Sequence, residues 1–397
     1  MTSPFTDTSG VTRMAAFAEL AAQGPLHHQM LFTGVPVWLV TGYSETRELL
    51  AHPEVIRASD DGPHRDTVED SIVQSTEQHM LSLNPPDHTR LRKLVSAAFT
   101  RRRIELLEPR IREIATALLD EMAVAGDQAG GQVDLVDSYS YPLPITVISE
   151  LLGIPTIRRD DFRRWSSILV NAAVHPADVY IEAALRMLEF IRDLIEDKRV
   201  APSGDLLSDL IAVRDGGDRL SPDELTSMVY LLLAAGHETT VSLITNGVHA
   251  LLRHPDQLAL LRAEPERLPA AVEELLRYDG PLQAAIPYVA RAPISIGGST
   301  IRAGEVIVFA LLAANRDNHK LGNPEELDIT RADNAHVAFG HGIHHCLGAP
   351  LARLEGRIAL GLLFERFPDL ALAEPDKDPT RSQGLLMNAI TALPVRL

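Results

Sequence analysis

The sequence predicts a mainly helical single domain with a small sheet, and three observations point there. Five segments, Ile104–Met122, Val179–Lys198, Pro222–Arg253, Leu268–Tyr278 and Gly348–Phe367, place apolar residues at helical period. Strand-like alternation is confined to Val35–Thr41 and to Thr300–Ala310, which follows Gly297-Gly298. No fixed-period repeat and no low-complexity linker interrupts the 397 residues. The Gly/Pro-rich stretches near Gly126–Gly131 and Pro202–Gly217 therefore read as surface loops, although length alone would allow two or three domains.

In chain order, Met1–Gly10 is polar and lacks the apolar run of a signal peptide or anchor. Asn84-Pro85-Pro86 precedes a helix that places His88 and Arg92 one turn apart. That pair could grip a carboxylate or form an ordinary basic surface. Arg101-Arg102-Arg103 extends the basic character in a chain of net charge -17. The acidic balance argues against nucleic acid as a partner and favours a soluble cytoplasmic protein. Ser221-Pro222-Asp223-Glu224 is a capping box with proline at the first helical position, and His254-Pro255 is the stop signal. The longest apolar run, Met228–Ala235, is too short to span a bilayer.

The middle of that long helix reads Ala234-Ala235-Gly236-His237-Glu238-Thr239-Thr240. Glycine costs about 1 kcal/mol there relative to alanine, and a core gives glutamate no cheap reason to be present. Either the ladder opens locally, or a packing glycine sits beside a satisfied polar cluster. Glu274 and Arg277 lie three apart on one helix face, a spacing that by itself suggests a solvated pair.

The only cysteine, Cys346, lies in FGHGIHHCLG, residues 339–348. One cysteine excludes a disulfide framework and a multi-thiolate zinc site. His341, His344, His345 and Cys346 are too close in sequence to converge easily on one ion. A thiol nucleophile would need a distant histidine and an orienting partner, for which no residue stands out. A single axial thiolate on haem iron needs one ligand, glycines for close approach and a following helix, all of which are present. Haem is the favoured reading, with the thiol enzyme as alternative.

The stretch FGHGIHHCLGAPLARLE resembles the haem-binding signature of the cytochrome P450 superfamily. Ala235–Thr239 resembles the oxygen-activating stretch of that family's long helix, and Glu274–Arg277 its Glu-x-x-Arg pair. The PPDHTRLR segment and the closing LPVRL fit soluble bacterial members, so the resemblance covers essentially the whole chain.

It implies the cytochrome P450 fold, a helical prism with a small β-rich region, in one domain over residues 1–397. It also implies haem b as cofactor and O2 as co-substrate. Cys346 would be the axial ligand, with Phe339, Gly340 and Gly348 framing it. Thr239 and Glu238 would relay protons, and Gly236 would let the helix open. Glu274, Arg277 and Arg331 would form a buried ionic triad. His88, Arg92 and His344 match positions that bind haem propionates. The family's usual further arginine is replaced by Tyr288, with Arg291 on the opposite strand face, so looser haem retention is expected.

An apolar, fairly roomy pocket would draw on residues 60–81, 170–179, 231–235, 283–286 and 385–387. Leu231, Ala235, Ala284, Ala285, Ile286 and Leu386 are its named candidates. No nucleotide-binding glycine fingerprint is present, so electrons would arrive from outside the chain; the resemblance implies a ferredoxin and its reductase as their source. Arg90, Arg92, Lys93 and Arg101–Arg103 are the candidate docking cluster. The expected protein is a cytoplasmic monomeric monooxygenase acting on an apolar small molecule. The alternative is a haem-binding sensor or carrier that does not turn over.

Overall fold

Side-chain caps set where some of the helices begin. The computed structural model of the chain describes residues 4–57, 69–154, 159–170, 174–212 and 220–397. Ser9 accepts from the Thr12 amide at 3.2 Å and starts Gly10–Gln23. Thr100 accepts from Arg103 at 3.3 Å and starts Arg101–Leu106. The box at Ser221 is reciprocal: the Glu224 amide donates to Ser221 Oγ at 3.2 Å, and the Ser221 amide donates to Glu224 Oε2 at 2.8 Å. Glu224 also pairs with Arg90 on Asp87–Ala98, the helix that carries His88 and Arg92.

Two predicted elements are divided. Ile104–Met122 belongs to two helices, Arg101–Leu106 and Glu108–Gln128, because Pro109 has no amide proton to continue the ladder and is tolerated only in a first turn. Thr300–Ala310 breaks into the strands Ser299–Ile301 and Val306–Phe309 around Gly304, whose φ of 85° is left-handed. The largest sheet runs Leu26–Met30, Pro36–Val40, Val306–Phe309, Tyr288–Ala290, Val55–Arg57. Its one described parallel pairing joins Pro36–Val40 to Val306–Phe309 in the register Val37–Val306.

The chain forms two compact units, each gathered from separated stretches. Met1–Ile56, Arg110–Leu143 and Thr239–Leu397 make the first. Its apolar core includes Phe5, Phe17, Leu39 and Val308 on one side of the sheet residues and Val40, Tyr288 and Phe309 on the other. Arg57–Pro109 and Pro144–Glu238 make the second. There, Ala177–Val200 packs against Asp70–Glu77, Arg159–Val170 and Leu206–Ala212.

The helix Pro222–Arg253 contributes to both units, and at 32 residues it is about 48 Å long. It is long and apolar enough to cross a bilayer by composition, but 72% of its most apolar window is buried within the fold. That burial marks it as a core helix. Its hydrogen-bonded ladder is regular α-helix through Gly236, so the expected local opening is not present. Gly236 instead leaves room for a neighbour: an added Cβ would lie 3.2 Å from Ile148 Cδ1.

Candidate active site

In the first unit the cysteine loop is folded by its own backbone. The Cys346 amide donates to Phe339 O at 2.9 Å, and the Gly340 amide to Val337 O at 2.8 Å. Gly340 and Gly342 have φ values of 70° and 71°, a region costly for other residues. A Cβ on Gly342 would also collide with the Leu50 carbonyl. Cys346 is exposed at the start of Ala349–Arg366, and a Cβ on Gly348 would sit 3.9 Å from its sulfur. Among the described residues, no group of three or more His, Cys, Asp or Glu side chains could hold a metal ion. These features fit a single-thiolate haem ligand: one presented sulfur, glycines at the close approaches and no competing ligand set.

The Glu274–Arg277 pair is not a solvated pair. Both side chains are 0% exposed, with Arg277 Nε donating to Glu274 Oε2 and Nη2 to Oε1, each at 2.7 Å. Arg331 Nε reaches Glu274 Oε1 at 3.4 Å, and the Asp328 amide donates to the same oxygen at 2.9 Å. Arg277 spends its other protons on the carbonyls of Asn315, Pro324 and Glu326. The three residues implied as a triad do converge. Spacing on the helix could not reveal this, because the saturating carbonyls come from another segment.

Tyr288 is buried with its ring edge-on to Phe309 (5.4 Å) and to His344 (6.0 Å). Two of the expected propionate residues thus meet. Arg291 cannot stand in for the missing arginine, since it is exposed and pairs bidentately with Glu54 at 2.9 Å. Ala284 is a correction. It is 0% exposed within the cluster of Phe17, Val308 and Ala310, so it is a core residue and no pocket wall. Ala285 is partly buried, and Ile286 is more than a third exposed. Half-buried Leu386 is held in place by the Gln283 amide, which donates to its carbonyl at 2.9 Å.

In the second unit, His88 is buried and Arg92 half-buried on their shared helix. Leu231 is buried, but Leu232, Ala235 and Gly236 keep accessible surface, as does Thr239 one turn on. These four form one stripe at helical spacing, a small-residue opening on a helix that is otherwise largely covered. Next to it lies a polar cluster. His237 Nδ1 donates to Leu233 O at 2.8 Å, leaving Nε2 facing Ser166 Oγ at 3.2 Å. Ser166 Oγ is also 3.2 Å from Glu238 Oε1 and from Arg163 O. Burial pushes the Glu238 carboxyl up, but His237, Ser166 and Arg163 outweigh it and hold the group below its ordinary value.

Part of the docking cluster is engaged in ion pairs. Arg90 pairs with Glu224 and Arg103 with Asp209, while Arg102 and Lys93 are exposed. The Arg101 side chain and residues 60–68, 171–173 and 213–217 of the expected pocket and loop lie outside the described residues. Sequence reasoning missed Ser166, Glu273, His336 and Arg353. These are ordinary polar residues whose partners lie 63 to 80 positions away for Glu273 and 71 and 72 for Ser166.

An exposed cysteine on a glycine-shaped loop, a Glu274–Arg277–Arg331 ion cluster and a long helix carrying Glu238 and Thr239 are the features expected of a haem-thiolate protein. Residues 167–393 match the family model described as Cytochrome P450. The chain is 44% identical to Cytochrome P450 107B1 of Saccharopolyspora erythraea over 99% of its length and 96% of that protein. It is 47% identical to the vitamin D(3) 25-hydroxylase of Pseudonocardia autotrophica, covering 96% and 93% of the two chains. The solved structure of the Bacillus subtilis bacillaene polyketide synthase cytochrome P450 PksS superposes with a TM-score of 0.90 at 38% identity, covering 100% of both. This chain belongs to the cytochrome P450 family, and its fold is the cytochrome P450 fold. Its cofactor is haem b, its co-substrate is O2 and its general activity is that of a monooxygenase.

Proposed function

We propose that this protein inserts one oxygen atom from O2 into an apolar small molecule of bacterial secondary metabolism, in the cytoplasm and as a monomer, with electrons from a ferredoxin. The observation that carries the reading is the Leu232–Ala235–Gly236–Thr239 stripe with Glu238 beside it. A haem sensor or carrier has no use for an acid held ionised next to an alcohol. The apolar character of Ala285, Ile286 and Leu386 suits a reduced substrate such as a polyketide or secosteroid. Relatives named for vitamin D(3) and for a polyketide synthase support those two classes.

Haem would be held by Cys346, with His88, Arg92, Tyr288 and His344 matching the positions that bind its propionates in the family, and would supply the oxidising chemistry. The protein's residues do the rest. The apolar walls exclude bulk water and orient the substrate. Thr239 and Glu238 would pass protons into the site, and Ser166 and His237 hold the Glu238 carboxylate in place. With one O–H proton facing His237, Glu238 and Arg163 O, Ser166 can change the acceptor it serves without moving its backbone.

The test is turnover with a ferredoxin, its reductase, NADPH and O2, on macrolide and secosteroid substrates selected by substrate-induced spin shifts. A product one oxygen atom heavier is expected. A thiolate-type spectrum with no turnover of any spin-shifting ligand would favour the sensor reading.

A further inference from the structure

The reaction as described leaves one group of charged residues on the cysteine side of the first unit unused. Arg353 lies on the helix that follows Cys346, and its guanidinium sits 4.5 Å from the centre of the Phe339 ring. Glu273, on Leu268–Asp279, grips it twice, accepting from Nε at 2.6 Å and from Nη2 at 2.8 Å. The same carboxylate accepts from His336 Nε2 at 3.1 Å, while His336 Nδ1 accepts the Ala338 amide at 3.2 Å. Glu273 therefore fixes both the loop that leads into Phe339 and the cation stacked on it. The Phe339 carbonyl in turn takes the Cys346 amide, so the assembly ends at the backbone of the residue that carries the sulfur.

The electrostatics agree with the geometry. Burial raises the Glu273 carboxyl, but its bonds to Arg353 and His336 bring it down to about 2. Arg353 is held above its ordinary value by its bond to Glu273 and by the charges of Glu273 and Cys346. A residue kept only for solubility would not combine a two-point anchor, a stacked ring and an interaction with the lone thiol.

We propose that Arg353, locked between Glu273 and Phe339, is a positioning residue that holds a fixed positive charge beside the Cys346 thiolate and so sets the reduction potential of the haem. A nearby cation stabilises the form carrying one more electron, and the stacked, bidentate guanidinium keeps the charge at constant distance. Glu273 moderates the same field. The inference rests on Cys346 being the haem ligand.

The test is a spectroelectrochemical titration of the haem-loaded protein with small-molecule mediators and no protein redox partner. In R353Q the equilibrium constant for one-electron reduction falls about tenfold, a midpoint roughly 59 mV more negative. R353K lies between R353Q and the parent, because the charge stays but the fork and the stack are lost. E273Q moves the midpoint the other way, since Arg353 then lacks its counter-charge.

An unmoved midpoint in R353Q, together with weaker turnover on ferredoxin, would reduce Arg353 to a docking contact. Shifts of one sign in R353Q and E273Q would mean loop loosening, which overturns the proposal. If R353Q cannot retain haem, the opposed signs of R353K and E273Q decide the matter. Absence of a thiolate-type ferrous–CO band in the parent protein would instead overturn the assignment of Cys346.

Discussion

Two buried polar clusters in this molecule are built on opposite plans. Around Glu274, every named partner is fixed: two guanidinium groups, a backbone amide and several carbonyls saturate one another around a fully buried Glu274–Arg277 pair. Around Glu238, a single serine hydroxyl faces three groups at the same 3.2 Å, and only one of them can take its proton at a time. The first arrangement has one low-energy state. The second has several of similar energy, which a proton relay requires and a scaffold must avoid.

Three substitutions test that contrast, the largest effect coming first. Glu274→Gln leaves Arg277 buried without its counter-charge and is expected to cost about 3–5 kcal/mol. At ~2–4 °C per kcal/mol for chains of 150–250 residues, taken as a guide for this longer one, thermal unfolding should report a drop of about 10 °C with loss of bound haem. A drop of only a degree or two would show that the cluster is not saturated in solution. Glu238→Gln should do the reverse. Substrate turnover is expected to fall about 100-fold, in the range of a lost proton-transfer group, with the unfolding midpoint nearly unchanged.

Ser166→Ala gives the smallest effect, a few-fold loss of turnover. Ser166 helps hold the Glu238 carboxyl down, so its removal lets that group rise. The acid limb of the turnover profile then moves to higher pH, with His237 and Arg163 the remaining groups that hold the Glu238 carboxyl down. A limb that stays in place would separate Ser166 from the relay.

The parts of this design that could be read from the chain are those written locally. The capping box at Ser221, the glycines around Cys346 and the Glu238–Thr239 pair each carry their reason within a few positions. Burial of Glu274 is not written that way, since i,i+3 spacing is the same in a solvated pair and a saturated one. Ser166 and Arg353 leave no local signal. Each becomes meaningful only when a distant helix brings Glu238 or Glu273 to it. The strand over Thr300–Ala310 was expected to be continuous because apolar alternation outweighed the turn at Gly304, and Ala284 was expected in the pocket because small size does not say which way an extended residue points.

The single cysteine has a consequence for the lifetime of the protein. A chain that releases its haem has one thiol and no second one to rescue it. Sulfenic acid formed at Cys346 has no resolving partner within the molecule, so it either joins another molecule or proceeds to sulfinic acid, which is ordinarily irreversible. On the proposed reading, the working life of this protein is therefore set by how long it keeps its haem.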